Sequence, residues 1–417
     1  MKEFRNAAMK ATRNEIADEL KNIPNIKNHH LNYVVLSFLK KKINSNSVRS
    51  FYLRYIYLYI IELAKKESCT LHQLNSKYFL VHLPFVAEMT MAIMYLDNHS
   101  LDRKYGSTKQ IDFCNNQFGS YTLRKILRDY VKKTFDEKSS NTIQDTLDQL
   151  FECVNMGQYL DKNYNHYEGF KNNIGYEGTY KEIDDLVDFG AAKNIIEKIK
   201  KDYPQKANYI HLYFTRIFLT TASFFSLFTS LVIELLGYEG ESKSDVLDFA
   251  RGYGILSQVV NDITDVVKHK DGTTSKLECD TLSDLKNDTI SLPLIIHLYN
   301  NKEDSLIRNF LDSKNLGLLD RKEESVLDEL IKSKTLSKAI KICKQLTSNQ
   351  GYRRNIRGDI EEGKYLIDLS SVAINNRFFQ EIFRRAHIIK KNKTEKSINL
   401  FCSQSKNELN SQKLKIS

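Results

Sequence analysis

Apolar residues return every three or four positions through most of this chain, which is the period of a helix with one buried face. The pattern predicts helices in FYLRYIYLYIIELA (Phe51 to Ala64) and LPFVAEMTMAIMYL (Leu83 to Leu96), with Pro84 suited to the first turn of the second. After a break at RKYGSTKQ, helix is expected from about Phe118 to Phe135. Glu137 to Thr142 reads as a loop with Ser140 as N-cap, and helix resumes from Ile143 to Asp161. The Asn-, Tyr- and Gly-rich run NYNHYEGFKNNIGYEGTY reads as a long surface loop. Further helices are predicted over Asp184 to Lys201, about Ala207 to Leu236, and Asp245 to about His269. A polar loop then runs from His269 to Thr289, and two or three smaller helices fill Leu292 to Arg385.

Composition sharpens this picture to an all-α fold. Only 4 Pro and 16 Gly punctuate 417 residues, and neither a repeat nor a Pro-, Gly- or Ser-rich linker divides the chain. One large domain is expected over 31–385, preceded by an N-terminal helical extension over 1–30 and followed by a polar, basic, disordered tail over 386–417. The excess of 62 Lys+Arg over 52 Asp+Glu permits an anionic partner and selects none. Its C-terminal share reads as a solvated tail, with peripheral membrane contact open to it, more than as a nucleic-acid arm. Six cysteines without a CxxC pair suggest neither a zinc site nor a disulfide framework, and a reducing cytoplasmic setting fits them. The uncharged stretch Ile217 to Ile233 carries six Ser and Thr, and reads as a buried core helix in preference to a membrane span.

GYGILSQVVNDITDVV, Gly252 to Val267, carries the most chemistry. Helical spacing brings Gln258, Asn261, Asp262 and Asp265 toward one side while Ile255, Leu256, Val259, Val260 and Ile263 face the core. An amide and two carboxylates within two turns can supply oxygen ligands to Mg²⁺, whose other positions go to water and phosphate. A solvated acidic face would look the same, so the segments around it decide.

Taken in order, Gly254, Gln258, Asn261, Asp262, Asp265, Asp284, Ser291, Leu292 and Pro293 resemble the second aspartate-rich motif of the polyprenyl synthetase family. The polar loop between corresponds to that family's Gly-Lys loop, which implies substrate contact for Lys276. MGQYLD (Met156 to Asp161) resembles the family's Gly-Gln-x-x-Asp segment, with Gln158 and Asp161 facing substrate. LTTASFFSLF (Leu219 to Phe228) resembles the Lys-Thr-Ala-x-Leu-Phe segment that contacts diphosphate and kinks, here through Thr220 and Thr221. MYLDNHSLDRKYG is similar to the first aspartate-rich motif, offering Asp97, Asn98 and Asp102 as metal ligands, with Arg103 and Lys104 for phosphate. The resemblance covers about Leu31 to Leu346. It implies an isoprenoid-synthase-type helical bundle around a deep central cavity, often as a homodimer. Mg²⁺ would clamp the pyrophosphate of an allylic prenyl diphosphate as it ionises, with Asp97, Thr221 and Asp262 at the reacting end. Met89, Thr90, Met91 and Ile93 are the family-analogous candidates for the cavity floor.

The resemblance is uneven. Asn98 and Asn261 stand where the family has Asp, and the third carboxylate of the first motif, Asp102, falls one residue late. The isopentenyl diphosphate site keeps Arg49, but Ser and Asn surround residue 47, and Thr220 and Thr289 occupy positions where the family has Lys. Three readings stay open: ordinary chain elongation with Arg49, Arg54, Arg103 and Lys104 compensating; a terpene synthase or a prenyltransferase with another acceptor; and a catalytically silent partner subunit.

Overall fold

The computed structural model describes residues 48–101, 110–176, 181–266, 282–301, 305–313, 325–330 and 332–347. The described residues are dominated by helix and contain no strand. In chain order the helices are α1 (Val48–Lys66), α2 (Leu83–Leu101), α3 (Gln110–Thr134), α4 (Glu137–Asn163), α5 (Tyr167–Lys171), α6 (Lys181–Leu186) and α7 (Lys193–Asp202). They continue with α8 (Ala207–Ile217), α9 (Ser223–Leu236), α10 (Lys243–Asp265), α11 (Ser283–Lys286), α12 (Leu292–Asn300), α13 (Leu306–Ser313), a helical turn over 325–330, and α14 (Thr335–Thr347). The all-α expectation holds.

The buried side chains form two clusters. One joins α1, α2 and α3 to the first half of α4, to α9 and to the start of α10. The other joins the end of α4 to α8, the second half of α10 and the C-terminal helices. Three long elements pass from one cluster to the other. On α10 the change falls between Tyr253 and Ile255, and on α4 it falls around Cys153 and Val154. Between α8 and α9 it falls just after Ala222.

At that third passage the backbone widens into a π-turn over Phe218–Ala222, closed by the Ser223 N–H donating to the Phe218 carbonyl. Thr220 Oγ1 donates to the Arg216 carbonyl at 2.9 Å, and Ser223 Oγ donates to the Leu219 carbonyl at 2.7 Å. These side chains satisfy carbonyls around the irregular ladder. Gly157 of α4 and Gly254 of α10 press against this turn. A Cβ at 157 would lie 2.6 Å from Thr220 Cγ2, and one at 254 would lie 2.4 Å from Ala222 Cα. Neither position has room for a side chain, so two glycines set how closely the three elements cross.

The π-turn corrects the picture of one regular helix over Ala207 to Leu236. Much of Ile217 to Ile233 is buried, including Phe224, Phe225, Phe228 and Leu231. A second π-turn, Tyr78–His82, runs directly into α2. Helix therefore begins before Pro84, and the widened turn immediately upstream lets the rod carry a residue that lacks an N–H and crowds the preceding carbonyl. Asp136, not Ser140, caps α4: its carboxylate accepts from Ser139 N at 2.9 Å and from Ser139 Oγ at 2.7 Å, so Glu137 to Thr142 is helical.

Two other segments differ from expectation. The loop expected after α4 contains α5, capped by His166, and buries Tyr167, Phe170 and Tyr176 against the second cluster. Aromatic anchors, not solvent, determine its path. The single helix expected over Asp184 to Lys201 is interrupted between α6 and α7, where Phe189 is buried and Gly190 takes a left-handed conformation. The N-terminal extension and the basic tail lie outside the described residues.

Replacing Gly254 by Ala separates local from tertiary control. Helix propensity alone favours Ala by about 0.8–1.0 kcal/mol. Overpacking against backbone costs about 1–3 kcal/mol or more. We expect Gly254→Ala to lower the urea-unfolding free energy; a variant more stable than the parent would show that α10 and the π-turn do not touch.

Candidate functional site

A chain of polar contacts crosses the molecule at the junction of the two clusters. Gln158 on α4 donates through its amide to Asn98 Oδ1 on α2. One turn on, Asp161 receives Arg216 Nη1 at 3.1 Å and Asn165 Nδ2 at 2.9 Å. Arg216, at the end of α8, also brings Nη2 to 4.0 Å from Asp262 Oδ2. Asp262 accepts from Tyr213 Oη at 2.7 Å on that oxygen and from Gln258 Nε2 at 2.7 Å on the other. Gln258 Oε1 accepts from Thr221 Oγ1 at 2.9 Å. The π-turn hydroxyl is thus tied through one amide to a buried carboxylate.

Burial makes these contacts strong. Asp262 is 2 % exposed and Arg216 is 7 % exposed. Burial alone would lower the Arg216 pKa, but Asp161 and Asp262 outweigh it and hold the guanidinium charged. Burial first, and the Asp262 charge second, push the Tyr213 phenol well above its ordinary range, so Tyr213 is a fixed proton donor. Burial raises the Cys343 thiol on α14 to about 12, with Asp262 adding to the rise. Cys343 is therefore a neutral neighbour of the carboxylate.

The other residues singled out from the sequence fall into distinct settings. Asp265 is 1 % exposed and accepts from Ser283 N at 3.2 Å, Ser283 Oγ at 2.8 Å and Asp284 N at 3.1 Å. Its carboxylate pins the start of α11 to the end of α10. Asn261 is exposed. Gln258 and Asp262 therefore share one face of α10, whereas Asp265 is engaged by the start of α11 and Asn261 is exposed. Asp97 pairs with Arg124 Nη2 at 2.7 Å, and that guanidinium lies 3.8 Å above the Phe151 ring. Arg49 stands 5.7 Å over the Phe224 ring. Thr220 spends its hydroxyl on the backbone. Met89, Thr90, Met91 and Ile93 are all buried in α2. Asp102, Arg103, Lys104 and Lys276 lie outside the described residues. Sequence reasoning missed Arg216, Tyr213 and Arg124. The signal for Arg216 was a single charge on an otherwise uncharged apolar helix, four residues before Thr220.

Solved structures with this arrangement of helices are prenyl synthases. The geranylgeranyl pyrophosphate synthase of Lactobacillus brevis ATCC 367 superposes with a TM-score of 0.58 at 15% identity, over 91% of this chain and 96% of that one. The polyprenyl synthase of Caulobacter crescentus CB15, complexed with calcium and isoprenyl diphosphate, gives 0.57 at 12%, over 89% and 98%. The octaprenyl pyrophosphate synthase of Helicobacter pylori gives 0.54 at 15%, over 89% and 99%. The fold is that of the polyprenyl diphosphate synthases. No protein-family model and no curated protein matches the sequence.

Within that fold the described donors can be tested against Mg²⁺. Their oxygens are of the right hardness. Yet four described carboxylates of the motifs are already engaged: Asp97 by Arg124, Asp161 by Arg216, Asp262 by Tyr213 and Gln258, and Asp265 by the start of α11. Among the described residues no three His, Cys, Asp or Glu side chains converge as a metal site. As arranged, these residues do not fit a bound Mg²⁺.

Removing the phenol tests the network. Tyr213→Phe leaves a buried carboxylate oxygen short of a donor, and hydrogen bonds to charged groups contribute about 1.5–3 kcal/mol. We expect a stability loss of that size in denaturant titration, largely absent when Tyr213→Phe is made on an Asp262→Asn background.

Proposed function

We propose that this chain binds an allylic prenyl diphosphate at the junction of its two clusters and acts as a prenyltransferase of the polyprenyl diphosphate synthase type. The observation that carries the reading is the contact chain from Asn98 through Gln158, and from Asp161 through Arg216, Asp262 and Gln258 to Thr221. It gathers all three family-like segments and α2 around one π-turn. The neighbour from Caulobacter crescentus was solved with calcium and isoprenyl diphosphate, which supports the same ligand class here.

In such a reaction the allylic C–O bond breaks heterolytically, the pyrophosphate leaves with the electron pair, and a carbon nucleophile captures the cation. The second amide N–H of Gln158 and of Gln258 can orient a diphosphate oxygen, and the Thr221 hydroxyl can do so on releasing Gln258 Oε1. The buried apolar side chains on either side exclude water that would quench the cation. Thr220 and Thr289 in place of Lys leave less fixed positive charge for a second diphosphate, and unpaired phosphate charge in a poorly solvated cavity is costly. We therefore favour consumption of the allylic substrate without efficient addition of isopentenyl diphosphate.

A second reading has its own observation. Arg216 and Arg124 neutralise carboxylates of both motifs, which suits a partner subunit that keeps the prenyl-binding fold without turnover.

Purified protein should be incubated with geranyl, farnesyl and geranylgeranyl diphosphates, with and without Mg²⁺ and radiolabelled isopentenyl diphosphate, while pyrophosphate and extractable products are read. Pyrophosphate release without label incorporation is expected, and Thr221→Val should slow it by about tenfold, the worth of one hydrogen bond. Incorporation of label would restore ordinary elongation. Binding without any release, under all conditions, would replace the enzyme by the silent subunit.

A further inference from the structure

We propose that Arg216 is the resident cation of the Asp161–Asp262 pair, holding with its guanidinium the charge position a divalent ion would take, so that these two carboxylates do not bind metal. The guanidinium lies between carboxylates from two different helices, 3.1 Å from Asp161 and 4.0 Å from Asp262. It is shielded from solvent and stands 5.3 Å from the Tyr213 ring centre. Its Nε is buried without a hydrogen-bond partner. Incomplete hydrogen bonding means the carboxylate charges, more than donor geometry, keep the side chain here.

A metal entering the pair would meet a fixed positive charge at ion-pair distance in a poorly screened site. It would also have to displace donors from Asp262, since Tyr213 and Gln258 each hold one of its oxygens. This inference concerns the free protein, and it stands whether or not the chain turns substrate over.

The test is equilibrium titration of the full chain with Mn²⁺, a hard-ligand stand-in for Mg²⁺, read by electron paramagnetic resonance without prenyl diphosphate. Helicity is checked by circular dichroism. In the parent, Asp262→Asn should leave Mn²⁺ stoichiometry and affinity unchanged. Arg216→Gln should create one new site, or tighten binding by about tenfold or more, and Asp262→Asn on that background should remove the gain. The proposal is overturned if Asp262→Asn costs the parent one Mn²⁺ or about tenfold in affinity, or if folded Arg216→Gln gains nothing. Should Arg216→Gln fail to fold, the parent against Asp262→Asn decides alone. Failure of turnover leaves this outcome unaffected, because no substrate is present.

Discussion

The close approach of α4 and α10 to one π-turn is the constraint on which the rest of the molecule depends. Helix axes normally stand 8–10 Å apart, at a distance set by the side chains between them. Here Gly157 and Gly254 remove the side chain at the contact itself, and the widened turn supplies the opposing surface. Both glycines begin short polar runs: Gly157 leads into Gln158 and Asp161, and Gly254 leads into Gln258 and Asp262. Because those residues follow within one to two helical turns, the crossing delivers their amides and carboxylates to the same depth beside Thr221. Packing and chemistry are therefore not separable at this point: a bulkier residue at either glycine would part the helices and pull the polar chain open.

Charge is the second constraint. Bringing carboxylates on α4 and α10 to one buried place is unfavourable unless something positive lies between them, because burial disfavours the ionised form. The chain meets that requirement with a side chain carried by the element against which both helices pack. Arg216 sits two residues before the π-turn, so the feature that creates the crossing also places the cation that makes its charge tolerable. The same arrangement appears at the first motif, where Arg124 of α3 meets Asp97 of α2 and rests on Phe151. Internal guanidinium pairing is thus a property of both motif helices.

Much of this was legible in the sequence, for identifiable reasons. Long periodic stretches such as Ile143 to Asp161 revealed their helices because burial on one side is what periodicity reports. The order of Gly254, Gln258, Asp262, Asp284 and Pro293 revealed the fold because those positions serve one local structure, in which Asp265 ties the end of α10 to α11 and Pro293 opens α12. What escaped were features that depend on partners distant in sequence. The π-turn inside an apolar stretch carries no distinctive residue pattern. Asp136 lies one residue before the loop-like run Glu137 to Thr142, and α5 hides in a loop-like composition because its anchors are isolated aromatics. Arg216 sits immediately before the uncharged stretch Ile217 to Ile233, and its carboxylate partners on α4 and α10 are distant in sequence.

The side-by-side Asn261 and Asp262 show why motif spelling and site chemistry diverge. Adjacent positions on a helix lie about 100° apart, so they cannot serve one ligand equally. Asn261 faces solvent, whereas Asp262 faces α8 and its carboxylate is consumed by Tyr213 and Gln258. Relative to the motif this segment resembles, Asn thus stands at the outward position, while Asp262 is held within the polar network of the fold. It follows that a segment can resemble the second motif in sequence while an amide, and not a carboxylate, stands at its outward position, Asn261.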